Sequence, residues 1–310
     1  MRAIASSPAE RPAGQERSAL LWRRISKPLS YLILIFWALV ALAPFYFTLV
    51  FSLKPVVNSY DPPLFWPSPF TLENFRILIQ SFTLFPRWLL NSLIVSVSVT
   101  FLRVLFASMA AYAFARMQFP LKNLLFAGML ISMMLPDQVK IIPKFLVIGP
   151  GIIRNLEIAG VAIPTGFGLL DNLGGVILHD MVTAFAVFLM TQFYKSLPKE
   201  LEEAAMMDGL GRFGIFFRIV LPISQTQLLT LGLLTFQGVW NEFLMPLIIL
   251  RTPSNFTLPI GLQSFYGEYY TLYSIVLAGS LFNTIPILLL FFLFQRYFVQ
   301  GIATTGLKDI

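Results

Sequence analysis

The sequence predicts an all-α integral membrane protein with six transmembrane helices. Hydrophobic residues make up 57% of the chain and charged residues only 12%, about half the charged share of a soluble domain. Six apolar runs each reach the roughly 20 residues that a helix needs to cross a bilayer. The net charge of +7 is therefore interpreted through the positive-inside rule of membrane topology, and not as the sign of a nucleic-acid-binding surface.

The chain has no Cys and a single histidine, His179. This composition excludes a disulfide framework, a thiol nucleophile and a metal site built from Cys or clustered His. We predict no metal and no cofactor.

The apolar runs divide the chain into segments. They cover about 29–53, 88–113, 121–148, 174–194, 219–241 and 273–295. The first run is too long for a signal peptide and predicts an uncleaved anchor helix behind a basic tail at 1–28. An external loop is predicted at 54–87, a five-helix core at 88–296 and a C-terminal tail at 297–310. In the third run, Pro136 and Pro143 predict a kink or an early end.

Lys and Arg residues predict the orientation. With the N-terminus inside, the cytoplasmic segments carry twice as many Lys and Arg residues as the external ones. Both termini are then cytoplasmic, and the segment between the fourth and fifth runs is also cytoplasmic.

That segment predicts a short helix at about 198–211. Pro198 suits a first helical turn, and Glu200, Glu202 and Glu203 suit the positive end of the helix dipole. Ala205 and Gly209 are four residues apart, so they are expected to form a small-residue face on which another protein could pack. Pro222 is expected in the first turn of the next span. A solvated connecting helix is the other interpretation that these residues allow.

The residue order resembles a known family. Glu203-Ala204-Ala205, then Gly209, and later Ile219 and Leu221-Pro222, resemble the EAA loop of ABC importer membrane subunits. The stretches "NSLIVSVSVT" at 91–100, "AAYAFAR" at 110–116 and "WNEFLMPLIIL" at 240–250 resemble carbohydrate-uptake members, of the second, shorter, maltose-type permease kind.

The resemblance implies a type I ABC importer transmembrane domain in the bacterial inner membrane. Helix 198–211 would be the coupling helix, on which Glu203, Ala204, Ala205, Asp208 and Gly209 meet an ATP-binding subunit dimer. Glu203 would pair with a basic residue of that subunit. A second permease, an extracytoplasmic solute-binding protein and membrane lipid would be the other partners. The implied cargo is an oligosaccharide, polyol or glycerol phosphate.

Other signals are weaker. Gly209-Leu-Gly211-Arg-Phe-Gly214 follows a helix, whereas a dinucleotide fingerprint follows a strand. No phosphate-binding loop of the GxxxxGK[ST] type occurs, so ATP hydrolysis is assigned to a partner and this chain is not predicted to be an enzyme. The outer segment 149–172 looks longer than is usual in the family, and it is either a contact with the solute-binding protein or a neutral insertion.

Four residues are candidates for the translocation path. Arg103 lies near the middle of the second span, where a charge is costly, so it either lines the path or packs between helices. Trp240, Asn241 and Glu242 lie near the outer side, where they either stack on and hydrogen-bond a sugar or form an interfacial aromatic belt and a helix end. Ala107, Ala111 and Ala115 predict a close helix–helix contact.

The alternative function is a secondary carrier driven by an ion gradient. Such carriers usually place acids in mid-membrane, whereas Asp137, Asp180 and Glu242 lie toward the ends of their spans. A membrane enzyme is a more distant alternative, because no catalytic constellation is present.

Overall fold

The computed structural model describes residues 13–55, 66–80, 82–149, 156–158, 161–163, 166–266 and 273–306, with side chains at 27–55, 66–80, 82–149, 166–266 and 273–295. The first part of the basic tail, part of the loop 54–87, part of segment 149–172 and the last four residues lie outside this description. The described chain is helical apart from one small hairpin. Its strands β1 (Leu156–Ile158) and β2 (Val161–Ile163) pair antiparallel, with Leu156 opposite Ile163.

The helices follow one another with short connections. In chain order they are α1 (Ala13–Ser52), α2 (Glu73–Gln80), α3 (Phe85–Arg116), α4 (Lys122–Met134), α5 (Ile141–Ile148), α6 (Leu173–Asp180), α7 (Ala184–Ser196), α8 (Glu200–Met207), α9 (Arg212–Ile215), α10 (Leu221–Ile223), α11 (Gln225–Trp240), α12 (Leu244–Ile249), α13 (Leu258–Gln263) and α14 (Tyr273–Gly306). A π-helical turn, Phe216–Val220, joins α9 to α10.

Six membrane-length units match the six predicted runs. Three are unbroken helices: Lys27–Ser52 within α1, the whole of α3, and Tyr273–Gln295 within α14. Three are bent pairs, in which α4 meets the segment Asp137–Ile148 at 110°, α6 meets α7 at 43°, and Arg212–Ile223 meets α11 at 78°. The predicted six-span, all-α membrane fold is confirmed, and half of its spans are broken helices.

The sharpest break confirms the kink predicted in the third span. Leu135 and Pro136 adopt extended ψ angles of 126° and 140°, which end α4. Pro143 does not break the chain, because it lies in the first turn of α5, where its missing N–H has no intrahelical partner. The bend therefore lies at Leu135 and Pro136, and not at Pro143.

The other two breaks have local causes as well. Thr183 caps α7 by accepting a bond from the Ala186 N–H at 3.4 Å, which starts a new helix after α6. In the fifth unit, the π turn ends just before Pro222, and the Ser224 hydroxyl donates to the Val220 carbonyl at 2.5 Å. Pro222 lies in the first turn of the short helix α10, a position that suits proline, and the 78° bend follows directly after this helix.

Helix α3 is the central element of the fold. Apolar clusters pack against it at three levels, near Trp88, near Val95 and Val99, and near Ala107 and Ala111. Ala107 and Ala111 are fully buried against Ala186 and Met190 of α7, which confirms the predicted close contact at these two positions. Because α3 is unbroken, it connects the two ends of the bundle rigidly.

Candidate functional site

Helix α8 is the short helix predicted between the fourth and fifth spans. It covers Glu200–Met207 with Lys199 as its N-cap, so Pro198 lies just before the helix and not in its first turn. The helix ends where Gly209 adopts φ +83°, a left-handed conformation in which glycine meets no Cβ penalty. The N–H groups of Asp208 and Leu210 donate to the carbonyls of Ala204 and Ala205, at 3.1 and 3.0 Å.

The outward surface of α8 differs in one respect from the predicted one. Glu203, Ala204, Asp208 and Gly209 are exposed, and Met207 is 88% exposed. Ala205 is only 4% exposed, because it packs into the apolar cluster with Tyr112 and Tyr194. The expected open face shared by Ala205 and Gly209 is therefore wrong for Ala205, which faces the bundle.

Glu202 was predicted only as one of three acids near the start of α8, but the structure gives it a position of its own. It is the buried acid of α8, at 5% exposure, whereas its neighbour Glu203 points into solvent. Its carboxylate lies 2.7 Å from Arg116 Nε and accepts a bond from the Tyr112 hydroxyl at 3.2 Å. The available signal was spacing, since Glu202 is three residues from Ala205 and therefore shares the face of α8 that packs on the bundle.

The rest of the family-like pattern lies on the connection to the fifth span. Ile219 and Leu221 are half-buried and pack against the cluster that holds Ala205. Ile219 belongs to the π turn, and Pro222 is exposed. These residues join α8 to the bundle, so their contacts in this chain are internal ones.

A cavity of ≈ 880 Å³ lies where the third and fourth spans break, beside the C-terminal end of α11. Its lining contains His179, three Lys or Arg side chains and three acidic side chains; the six charged residues are Arg103, Lys140, Lys144, Asp137, Asp180 and Glu242. Two ion pairs form among them, Arg103 with Asp180 and Lys140 with Asp137. The cavity is therefore polar and electrically balanced. Within the described residues, no cluster of three or more His, Asp or Glu groups could hold a metal ion.

Arg103 both lines the cavity and packs between helices. Its Nε and Nη2 donate to the Asp180 carbonyl at 3.0 and 2.5 Å, while Nη2 also pairs with the Asp180 carboxylate. Asp180 is the last residue of α6, so the guanidinium caps this helix at the break in the fourth span. The two interpretations of Arg103 left open by the sequence are compatible in the structure.

Trp240, Asn241 and Glu242 do not form one site. Trp240 is 1% exposed, stacks on Phe236 and donates from Nε1 to the Asn283 carbonyl at 2.8 Å. It has no free face for a sugar, so its role as a stacking platform is wrong for this conformation. Asn241 is exposed and does not line the cavity, whereas Glu242 does, and its Oε1 accepts a bond from the Met245 N–H at 3.2 Å.

Comparisons with known proteins agree with this architecture. Residues 103–304 match the family described as binding-protein-dependent transport system inner membrane component. The arabinooligosaccharides transport system permease protein AraQ of Halalkalibacterium halodurans is 35% identical over 292 residues, which cover 92% of this chain and 99% of that protein. The sn-glycerol-3-phosphate transport system permease protein UgpE of Brucella abortus is 29% identical, over 91% and 98% of the two chains.

A solved structure shows the same fold. A chain of a bacterial ABC transporter involved in the import of the acidic polysaccharide alginate superposes with a TM-score of 0.75 at 21% identity. The match covers 94% of this chain and 100% of that one. The family match over residues 103–304 and the 35% identity to AraQ show that the chain belongs to the binding-protein-dependent transport system inner membrane components, as a permease subunit of an ABC transporter.

Proposed function

We propose that this permease moves a sugar or sugar-like solute inward across the bacterial cytoplasmic membrane, driven by ATP hydrolysis in a partner dimer and by alternating access. The observation that carries the proposal is the form of α8. It is a short helix with an exposed outer face, between two spans that are themselves broken. Closure of an ATP-binding dimer on that face would move α8 and the spans on either side of it.

The contact with the ATP-binding subunit is assigned to the exposed residues of α8. Glu203 and Asp208 provide negative charge, Ala204 allows close approach, and Gly209 permits the tight turn after the helix. Ala205, Ile219 and Leu221 act on the inner side of the same segment, where they hold it against the bundle.

The cavity is the proposed part of the translocation path. Its ≈ 880 Å³ lies within the range of pockets that bind small molecules. Balanced charges favour an uncharged polyhydroxylated solute that binds through hydrogen bonds, with Arg103 and Glu242 among the polar groups that line its way. The arabinooligosaccharide permease among the relatives supports this substrate class.

The proposed assembly contains a second permease, two ATP-binding subunits and an external solute-binding protein. Large apolar side chains of α1 and α4, such as Trp37, Leu39, Leu124 and Met134, are exposed in the isolated chain. Lipid and the second permease would cover these faces. The excess of Lys and Arg in the segments assigned to the inside supports cytoplasmic termini.

Purification of the tagged chain from its native membrane tests the proposal. Mild detergent should retain a second permease and an ATP-binding protein. In proteoliposomes, the assembly should take up the solute of its binding protein only when ATP is supplied to the α8 side. A chain that purifies alone and transports on an ion gradient would contradict the proposal and support the carrier alternative.

The carrier alternative has little support in the structure. Asp137 forms an ion pair with Lys140, and Asp180 forms one with Arg103. Neither is therefore an unpaired acid in mid-membrane. An ionophore that collapses ion gradients separates the two functions, because it should leave ATP-driven uptake intact.

A further inference from the structure

The outer face of α8 explains how a partner could bind, but not how the movement of α8 would reach the cavity. Glu202 is the feature that bears on this question. Its side chain is only 7% exposed, and an ionised carboxylate is costly to bury unless other groups compensate its charge. Its contacts therefore indicate which parts of the bundle α8 is attached to.

Three side chains surround the Glu202 carboxylate. Arg116 Nε lies 2.7 Å from Oε1, in an ion pair whose N–H bond is not aimed at the oxygen. The Tyr112 hydroxyl donates to Oε2 at 3.2 Å, and Arg212 Nη1 lies 4.0 Å from the same atom. Tyr112 and Arg116 belong to the last turn of α3, and Arg212 begins the segment that follows α8. One carboxylate thus connects the end of α3, α8 and the start of α9.

Arg116 also fixes the entry to α8. Its Nη2 donates to the Leu197 carbonyl at 2.6 Å, two residues before the N-cap of α8. The end of α3 is therefore bonded to the chain before α8 and to a side chain within it. Because both bonds would have to break for α8 to move alone, α8 and the end of α3 are expected to move together.

Helix α3 also reaches the cavity, through Arg103 near its middle. Arg103 lies 13 residues before Arg116 in the same unbroken helix, a distance of about 20 Å at 1.5 Å per residue. Arg103 holds Asp180 at the break in the fourth span. A displacement of the Arg116 end can therefore be passed along α3 to the cavity wall.

Resting on the proposed function, we infer that Glu202 is a positioning residue that couples α8 to α3, and that the Glu202–Arg116 pair carries movement of the ATP-binding subunits to the cavity. Glu203, its exposed neighbour, would contact the partner. The two adjacent glutamates have separate tasks: one binds across the interface and the other binds within the permease.

The test compares Glu202→Gln with Glu200→Gln in the complete assembly in proteoliposomes. Glu200 lies on the same helix but is exposed. Solute uptake and ATP hydrolysis are both measured per assembled complex. We expect Glu202→Gln to hydrolyse ATP while the solute moved per ATP falls about tenfold, within the usual range of coupling between sites. Glu200→Gln should keep the wild-type ratio.

A merely structural role predicts a different result. Fewer Glu202→Gln complexes would then assemble, but those that did would move as much solute per ATP as wild type, and that outcome overturns the inference. A wild-type assembly without ATP-driven uptake would contradict the proposed function itself, so the two failures can be distinguished.

A second variant keeps the inference testable if Glu202→Gln does not assemble. The chain has no Cys, so Arg116→Cys with Glu202→Cys creates the only thiol pair in this subunit. A short, reducible bis-methanethiosulfonate would link the two thiols, in a complex whose partner thiols have been removed. Solute per ATP should recover on linking and fall again on reduction. An unchanged ratio in all three states would refute the coupling role.

Discussion

Arg103 holds both the backbone carbonyl and the carboxylate of Asp180, at the point where the fourth span breaks. The guanidinium side chain is 11% exposed and the carboxylate 20%. Bidentate binding of this kind needs the planar fork of arginine, so lysine is not an equivalent replacement. The charge of Arg103, which the sequence predicts near the middle of the second span, is thus compensated by Asp180 on the wall of the cavity.

Removal of Arg103 should destabilise the permease strongly. In Arg103→Met the Asp180 carboxylate loses its partner, which typically costs about 3 kcal/mol for a buried pair. Thermal unfolding of the purified assembly measures the loss. The double variant Arg103→Met with Asp180→Leu is the control and should be the more stable of the two. Equal stability of the single and double variants would show that the unpaired carboxylate is not the cause.

Gly209 tests the turn after α8. A non-glycine residue is strained at φ +83°, although an added Cβ would have no atom within 4 Å. Asn tolerates this conformation better than Val does, so uptake should fall in the order wild type, Gly209→Asn, Gly209→Val. Gly211→Val is the matched control, because Gly211 is equally open but has φ −74°. Normal uptake by Gly209→Val would contradict the assignment of this turn to ATPase coupling.

Substitution of Trp240 tests whether its ring contacts the solute or only packs within the bundle. Trp240→Phe keeps a ring against Phe236 but removes the hydrogen bond that Nε1 donates to the Asn283 carbonyl, and a hydrogen bond of this kind typically contributes about 1 kcal/mol. We expect a lower unfolding temperature and an unchanged half-saturating solute concentration for uptake. A weakened apparent affinity at unchanged stability would instead support direct contact with the solute.

Gly261 is required by a close approach between α13 and α3. A Cβ at this position would overlap the Trp88 indole ring, which also donates to the Pro253 carbonyl at 2.7 Å. Gly261→Ala should therefore cost about 1 to 3 kcal/mol, as overpacking usually does. Gly128→Ala is the control, because Gly128 lies in α4 with nothing within 4 Å and should be neutral or stabilising. Unfolding of the purified complex compares them, and equal effects would refute the steric argument.

Asp171 predicts a pH effect outside the spans. The Thr252 hydroxyl and the backbone N–H groups of Thr252 and Arg251 donate to its carboxylate, and they hold its pKa well below the usual range. A carboxyl whose folded pKa is depressed stabilises the fold fully above its unfolded pKa of about 4 and loses this contribution as pH falls through the folded value. The contribution is therefore complete at neutral pH.

Asp171→Asn measures that contribution, since Asn also tolerates the left-handed φ of 55° at this position. Wild type should be the more stable at neutral pH, and the difference should shrink below about pH 4. Thermal unfolding of the purified assembly across this pH range follows the change. A difference that stays constant down to low pH would show that the Asp171 charge has no part in it.

The sequence by itself determined the membrane class, the six spans and the position of the helix between the fourth and fifth. These follow from local properties: apolar runs of bilayer length, Pro136 as a helix breaker, and Gly209 after a short run of helix-forming residues. A left-handed turn and a lipid-crossing helix depend on a few consecutive residues, so they can be predicted without knowledge of the packing.

Only the tertiary structure decided which side of α8 faces the bundle. Of the two adjacent glutamates, Glu202 is buried and Glu203 is exposed. The tertiary structure also showed that Trp240 is enclosed and that Arg103 meets Asp180, 77 residues away in the chain. Burial and ion pairing depend on residues from other helices, and no sequence spacing specifies which helix will be the neighbour. The sequence could thus locate the charges, but the packing of α3 against α6 and α8 determined their partners.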